Sequence, residues 1–414
     1  MSFKLSIPKL SFAGFIFLLG LFIKQFYLRQ SGTIQIGDGL ISLSALLIFL
    51  NGKIRLRQDT PLAVFVLFTF IINGFYSVYY GRSFMISSVY LLFNLIVVIV
   101  FRALAKDDGF LRYLTLLLKF CLLTQSAIYF TGGGRDYSSL RYEGTFNDPN
   151  QFGFYVLCCF FILFLCYLHF NERPHVVWFL VTGFLVVLST SRGMMLAYVV
   201  FLFFALIYPI LSKKTALVRI LLILLFALIA AALYAFGDSI AAALQGLLSW
   251  DYLDFVLQRI ENTASANASG GGRLMNLLGD RQMIRIVRAP YYFLFGCGEG
   301  YNERFIAISG QSGEIHGTMI ALCYYYGIIP YLFLLKWGKR SVIGIPIAAI
   351  GAFAAVIMEA CTLANHRQPL FWMIFVLGSL LANRKSEGAV DEETKPNAQI
   401  QYNRTDLQGA ELSK

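Results

Sequence analysis

The sequence predicts an all-α membrane protein with about twelve transmembrane helices. Of its 414 residues, 58% are hydrophobic and 14% are charged, whereas a soluble chain is about half apolar and a quarter charged. The apolar residues gather into runs of about 20, the length that crosses roughly 30 Å of hydrocarbon as a helix. Because backbone polar groups in lipid must be satisfied within the segment, such runs indicate helices.

Each apolar run is taken as one span of a single polytopic domain over residues 1–383. The polar tail, 384–414, is predicted to be disordered and cytoplasmic. The second and seventh spans are the least regular, being short or interrupted by glycine and Asp38. In chain order the predicted spans are 11–29, 35–51, 61–80, 84–104, 110–131, 150–169, 176–190, 193–211, 217–236, 316–336, 342–364 and 368–383.

The distribution of Lys and Arg among the loops predicts the orientation. Loops with an excess of these residues stay in the cytoplasm, so both termini are expected inside. The net charge of +11 then reflects topology, and no nucleic-acid partner is expected. The basic side holds Lys4, Lys9, Lys53, Arg55, Arg57, Arg102, Lys106, Arg112, Arg173, Lys213, Lys214, Arg219, Lys336, Lys339, Arg340, Arg384 and Lys385.

Two long stretches fall on the opposite, external side. The first is the loop 131–153, in which "NDPN" predicts a tight turn with Asn150 capping the next helix. The second is the large loop 237–315 between spans nine and ten, and a loop of that length usually carries a function. Its segment 239–260 has the pattern of an amphipathic surface helix.

Arginines are the main charged residues of this external side. The planar guanidinium fork suits phosphate, and near a membrane it must pair or meet water. Arg141, Arg192 and Arg273 each stand beside glycine or small polar residues, and each either binds a phosphate or caps a span and reaches the headgroups. Three more share a helical spacing suited to anionic lipid or substrate groups: Arg281, Arg285 and Arg288.

Span ten begins with a carboxylate and an imidazole, Glu314 and His316. A neutral imidazole accepts a proton near pH 7, so His316 is a candidate general base, with Glu314 as the base instead or as its modulator. A histidine that merely meets water at a helix start is the alternative. Cys297 is predicted to be exposed in the external loop. No zinc-like spacing and no external Asp-x-Asp pair occurs, so no metal or cofactor is expected.

Five motifs in this order resemble the O-antigen ligase and O-antigen polymerase family of bacterial envelope glycan assembly. Arg192 to Leu196 and Arg273 to Leu277 are similar to its Arg-x3-Leu pattern, and His316 to Gly327 is similar to its His-x10-Gly pattern. The resemblance covers about residues 60–380. The motifs are "RYEGTFNDPNQFG", "STSRGMML", "GGRLMNLL", "FGCGEGY" and "EIHGTMIALCYYYG".

The resemblance implies a GT-C-like membrane fold and a metal-independent glycosyltransferase in the bacterial inner membrane, with its active site facing the periplasm. The donor would be a glycan on undecaprenyl diphosphate. Arg192 and Arg273, with Arg141, would stabilise the departing diphosphate, and His316 or Glu314 would activate the acceptor hydroxyl.

The acceptor decides between two activities of the family. A polymerase uses another lipid-linked repeat unit, whereas a ligase uses lipid A–core, and the motifs favour the polymerase. Membrane lipids and a chain-length regulator protein would be further partners. A carrier or flippase for lipid-linked sugars is the alternative from a different class. Transporters place key charges and broken helices at the bilayer midplane, whereas the candidate residues of this chain gather at one outer rim.

The orientation is testable at the centre of the large loop. In a cysteine-free background, Ser265→Cys is expected to react with a membrane-impermeant maleimide in whole cells, because 237–315 is predicted to be external. A cysteine at 265 that reacts only after the membrane is opened would reverse the orientation and remove the predicted site from the external face.

Overall fold

The computed structural model describes residues 10–27, 35–52, 56–81, 83–138, 141–207, 285–309, 313–315, 317–361 and 363–383. Several predictions lie outside the described residues: the span 217–236, the amphipathic helix 239–260, Arg273, Arg281, His316 and the tail 384–414. Arg192 is described by its backbone alone.

Twelve helices of nine or more residues account for most of the described chain. Helix α8 continues into a π-helical turn, Phe203–Ile207, and short helical turns at 285–288, Tyr292–Phe295, Asn302–Phe305 and Ile306–Ser309 precede α9. The helices are α1 (Phe12–Ile23), α2 (Ile36–Leu50), α3 (Thr60–Tyr80), α4 (Ser83–Leu104), α5 (Asp108–Phe130), α6 (Pro149–His169), α7 (Val176–Leu188), α8 (Arg192–Leu202), α9 (Thr318–Tyr326), α10 (Ile328–Val342), α11 (Ile347–Ala360) and α12 (Pro369–Asn383).

The described chain has the character of a multi-pass helical membrane protein. Four of its helices, α3 to α6, are long and apolar enough to cross a membrane, and further apolar helices of 10–17 residues accompany them. The number of twelve spans stays a prediction. Helix α6 is the centre of the packing, since its side chains are buried on every face from Phe152 to Tyr167, the pattern of a helix enclosed by others.

Helices α1 and α2 form a tight hairpin through glycine. A Cβ on Gly37 would lie 2.5 Å from the carbonyl oxygen of Gly20, so only glycine permits this backbone approach. The hairpin is closed by a buried ion pair, in which Lys24 Nζ lies 2.5 Å from Asp38 Oδ1.

The loop 131–153 contains a small antiparallel sheet that the all-α prediction missed. Strand β1 (Arg135–Ser138) pairs with β2 (Arg141–Gly144). Four-residue strands are too short to produce a recognisable alternating pattern. The expected cap was also wrong: Asp148, not Asn150, accepts hydrogen bonds from the first backbone amides of α6, and Pro149 is the first helical residue.

The single helix predicted over 316–336 is wrong, because it is two helices that meet at Gly327. This residue has φ of +78°, and a Cβ there would lie 2.6 Å from the carbonyl oxygen of Leu294. The break therefore admits another backbone segment. Helix α10 continues to Val342, so the next helix begins at Ile347 rather than at 342.

A buried ion pair joins four helices near the start of α3. Arg102 of α4 donates from Nε and Nη2 to the two oxygens of Asp59, each at 2.8 Å. Trp337 of α10 donates to Asp59 Oδ1 at 2.9 Å, and Arg102 also donates to Ser379 of α12 at 2.5 Å. The Asp59 side chain has no exposed surface, so its charge depends on these donors.

Arg102→Leu is expected to destabilise the protein by about 3–5 kcal/mol, because it leaves a buried carboxylate without its cation. The readout is the unfolding midpoint of the purified protein in detergent. Arg112→Leu is the matched control: its pair with Glu172 is 55% and 45% exposed, and such pairs contribute little. Equal losses in both variants would contradict the role given to Asp59.

Candidate functional site

The most polar buried region of the described chain surrounds Glu299. One oxygen, Oε1, accepts from Arg367 at 2.6 Å and from His366 Nε2 at 3.2 Å. The other, Oε2, accepts from the Tyr326 hydroxyl at 2.8 Å. The backbone amide of Glu299 donates to Asn73 Oδ1 at 2.9 Å. We call Glu299, Asn73, Tyr326, His366, Arg367 and the attached Glu314 the Glu299 network.

The break at Gly327 brings two sequence motifs together in this network. Gly296 and Gly298 of "FGCGEGY" lie against the last turn of α9: the Gly298 amide donates to the Tyr325 carbonyl oxygen at 2.8 Å, and a Cβ on Gly296 would lie 2.7 Å from the same oxygen. The Tyr325 hydroxyl in turn accepts from the Ile315 amide at 3.1 Å. Motifs that are separate in sequence thus form one packed unit.

The segment before α12 supplies Arg367 and His366, the two side chains that contact Glu299 Oε1. The carbonyl oxygen of His366 accepts from Asn94 of α4 at 3.0 Å and from Trp372 of α12 at 2.7 Å. Thr318 fixes the same segment by donating to the Leu363 carbonyl at 2.7 Å. The network therefore contacts the last turn of α9, the segment before α12 and, through Asn94, the middle of α4.

Electrostatics keep Glu299 ionised although its side chain is only 3% exposed. Burial by itself raises the pKa of the carboxyl group. The facing His366 and Arg367, through their charges and hydrogen bonds, outweigh burial and hold the pKa of Glu299 well below its usual range. The carboxylate is accordingly a fixed negative charge at neutral pH.

Arg367 extends the network to a residue that the sequence analysis selected. Its Nη2 donates to Glu299 and, at 3.1 Å, to Glu314 Oε1. Glu314 is 45% exposed and Arg367 is 31% exposed, so this edge of the network reaches solvent. Glu314, a site residue predicted from the sequence, is thus held by an ion pair with Arg367. It stands two positions before His316.

The structure separates the two described arginines of the predicted stripe. Arg285 is fully buried, donates to the Gly313 carbonyl at 2.7 Å and lies with its guanidinium carbon 4.2 Å from the centre of the Phe305 ring. Arg288 is exposed and donates to the Ile308 carbonyl at 2.7 Å. Both therefore hold backbone carbonyls of the large loop, at Gly313 and at Ile308, and phosphate binding by them stays a prediction.

Arg141 and Arg192 fall in one neighbourhood. Arg141 Nε donates to the Thr190 hydroxyl at 3.2 Å, and its Nη2 lies 3.5 Å from Asn150 Oδ1. Thr190 has φ of +48°, a left-handed conformation that is costly for a β-branched residue. It stands two residues before Arg192, the first residue of α8.

A chain of hydrogen bonds links this neighbourhood to the Glu299 network. The Tyr27 amide donates to the Thr145 carbonyl at 3.2 Å, and Gln368 donates to the Tyr27 hydroxyl at 3.1 Å. Gln368 follows Arg367 directly. The loop that carries Arg141 is therefore linked, through Tyr27, to the segment before α12 that supplies Arg367 to Glu299.

Cys297 is buried rather than exposed, which corrects the sequence-based expectation. Burial raises the pKa of its thiol to about 12, so it is not a nucleophile at neutral pH. Within the described ranges, no group of three His, Cys, Asp or Glu residues is arranged to hold a metal.

Sequence reasoning missed three residues at the centre of the network: Glu299, His366 and Arg367. Glu299 stood within "GCGEGYN", whose similarity to a phosphate loop is superficial because no strand or lysine accompanies it. The usable signal was the charge itself, since an acid flanked by three glycines in an apolar chain requires a nearby cation.

The chain matches no protein-family model, and no curated protein is significantly similar to it. The resemblance carried by the motifs stays a prediction.

Glu299→Gln is expected to lower the unfolding midpoint, at a cost in stability of about 3 kcal/mol, because Arg367 loses its buried counter-charge and His366 loses a carboxylate hydrogen-bond partner. Since the folded-state pKa of Glu299 is depressed, its stabilisation is present above the unfolded-state pKa of roughly 4.3 and is lost as the pH falls below it. The difference between wild type and variant should therefore be largest near neutral pH and shrink below about pH 4.

The control is Glu303→Gln, an exposed carboxylate in the same loop, which is expected to leave the midpoint nearly unchanged. A Glu299→Gln variant as stable as the wild type at pH 7 would mean that burial of Arg367 and His366 does not depend on this carboxylate.

Proposed function

We propose that the protein is a bacterial envelope polysaccharide polymerase, a glycosyltransferase of the inner membrane that acts on the periplasmic side. It transfers a growing glycan from undecaprenyl diphosphate to an undecaprenyl-diphosphate-linked repeat unit. The observation that carries the proposal is the packing of "FGCGEGY" against "EIHGTMIALCYYYG" around a buried, ionised Glu299. Gly327, the glycine of the His-x10-Gly spacing, interrupts the helix and so lets the backbone of Leu294 and Gly296, just before Glu299, pack against it.

In the proposed reaction the donor's glycosidic carbon–oxygen bond breaks, and undecaprenyl diphosphate leaves as an anion. Arg192 and Arg273, with Arg141 beside Thr190, stabilise that charge. The acceptor hydroxyl forms the new bond and gives its proton to a base. One oxygen of Glu314 already accepts from Arg367, so we assign the base to His316 and an orienting role to Glu314 and Arg367.

One observation favours a carrier as the second candidate. Transporters use interrupted helices and buried charges for a substrate site. In this protein the helix is interrupted at Gly327, and the charged Glu299 and Arg367 lie beside a segment that contacts the middle of α4. Here, however, the backbone of Leu294 and Gly296 fills the break instead of leaving a cavity. This packing favours a fixed catalytic scaffold over a moving gate.

The test uses the purified protein in lipid nanodiscs with lipid-linked repeat units and a gel readout of chain length. Arg192→Ala and Arg273→Ala are each expected to slow transfer by roughly 10²–10³-fold, since each removes a donor to the leaving group. Lysine should rescue either poorly, because it lacks the bidentate fork. His316→Gln should slow transfer by roughly 10²–10⁴-fold, because the amide cannot take the proton.

Arg340→Ala, an exposed arginine at the end of α10, is the control for expression and insertion. Product on lipid A–core but not on lipid-linked units would make the protein a ligase. Movement of lipid-linked sugar across the bilayer without any new glycosidic bond would make it a carrier. Near-normal chain lengths from both arginine variants would remove those residues from the mechanism.

A further inference from the structure

One face of α3 leads outward from the Glu299 network to a group of tyrosines. Asn73, Tyr76 and Tyr80 share this face, at a spacing of i, i+3 and i+7. Asn73 accepts from the Glu299 amide, and the Tyr76 hydroxyl donates to the Gly296 carbonyl at 3.1 Å. At the end of the helix the Tyr80 ring lies 6.1 Å from the ring of Tyr301, with the planes 33° apart. Tyr80 and Tyr301 are 48% and 47% exposed, and we call this pair the tyrosine platform.

Arg304 fixes the platform to the rest of the site. Its guanidinium carbon lies 4.9 Å from the Tyr76 ring centre, 5.4 Å from that of Tyr80 and 4.7 Å from that of Phe84. The same guanidinium donates to the Gly298 carbonyl at 3.0 Å and to that of Cys297. A single cation therefore ties the aromatic rings to the loop that carries Glu299.

The backbone at Tyr301 holds an aromatic ring in a conformation that disfavours it. Tyr301 has φ of +37° and ψ of +64°, the left-handed region, which is strained for a bulky residue. The preceding Gly300 lies directly on Phe84, since a Cβ there would be 3.0 Å from the Phe84 Cα. A glycine at 301 would avoid the strain, so the ring at this position calls for a reason other than folding.

A membrane-interface belt is the general explanation for exposed tyrosines at helix ends. Tyr79 fits that explanation, because it is 70% exposed and its described ring contact is with Phe75 of its own helix. Tyr80 and Tyr301 differ from it: their rings come from separate segments and contact each other. The Tyr80 ring also lies near the Arg304 guanidinium and continues the face of α3 that carries Asn73. Half-exposed ring faces with phenolic hydroxyls at their edges match a sugar ring, whose C–H face is apolar and whose rim bears hydroxyls.

We propose that the tyrosine platform is a saccharide subsite that holds the glycan part of the substrate beside the Glu299 network. The identity of the ligand rests on the proposed function, which supplies a glycan to this face of the protein. Stacking on Tyr80 and Tyr301 retains the chain, while the diphosphate is held elsewhere, by the arginines.

The experiment measures binding without turnover. Oligosaccharides of one to four repeat units, released by mild acid from the source bacterium's surface polysaccharide and labelled at the reducing end, are titrated against the full-length protein in nanodiscs, with fluorescence anisotropy as the readout. Tyr80→Ala and Tyr301→Ala are each expected to weaken binding roughly three- to tenfold, the loss that corresponds to one aromatic contact. Tyr80→Phe should bind nearly as the wild type does.

Two further variants separate stacking from other roles. Tyr79→Ala, on the same turn of α3 but outside the platform, should bind as the wild type does. Tyr301→Gly should unfold no earlier than the wild type, because glycine accepts a positive φ, and yet should lose binding as Tyr301→Ala does.

Wild-type binding in either platform variant, or an equal loss in Tyr79→Ala, would overturn the subsite. Absence of any oligosaccharide binding by the wild type would also overturn it. Oligosaccharide binding that depends on the platform, in a protein that shows no transfer, would keep the subsite and overturn the proposed enzymatic function instead.

Discussion

The burial of Glu299 is the constraint on which the site depends. A carboxylate with almost no exposed surface is stable only if cations and hydrogen-bond donors surround it, and here these come from α9 and from the segment before α12. Asn73 of α3 accepts from the Glu299 backbone amide and ties a third element to the same residue. Each of these elements is therefore fixed relative to the others. The Gly327 break follows from the same requirement, because the Glu299 loop must reach the last turn of α9, and a side chain at 327 would block it.

A second buried carboxylate, Asp59, has the equivalent role at the opposite end of α3. Its donors are Arg102 of α4 and Trp337 of α10, and Ser379 of α12 accepts from the same Arg102. Helices α3 and α12 therefore take part in both polar clusters. In a membrane, apolar contact between helices gains little over contact with lipid. Two buried polar clusters therefore specify which helices are neighbours more sharply than apolar packing does.

The sequence predicted α3 to α6 closely, because long apolar runs have one physical solution in lipid. It failed where neighbours in space decide the structure. Gly327 stands within a run of apolar residues and tyrosines and gives no local sign of a break, since the segment that fills the break lies about 30 positions earlier. Glu299 and His366 are 67 positions apart, and no local pattern pairs them. Asp148 was passed over as a cap because Asn150 is an equally good capping residue, and only the backbone decides between them.

Among the described arginines, Arg141 differs from Arg285, Arg288 and Arg304 in what its guanidinium group contacts. Arg285, Arg288 and Arg304 donate to backbone carbonyls between residues 297 and 313, and Arg285 and Arg304 also lie against aromatic rings. The planar guanidinium group has five N–H donors, which suit backbone carbonyl oxygens as well as they suit phosphate. An arginine-rich loop is therefore not by itself an anion site. Arg141 differs, since it contacts side chains beside a strained Thr190 at the start of α8. Strain that the structure retains next to polar side chains is characteristic of functional positions. Among the described arginines, the contacts therefore favour Arg141 for the diphosphate of the proposed reaction, while Arg285, Arg288 and Arg304 hold the backbone around the Glu299 segment.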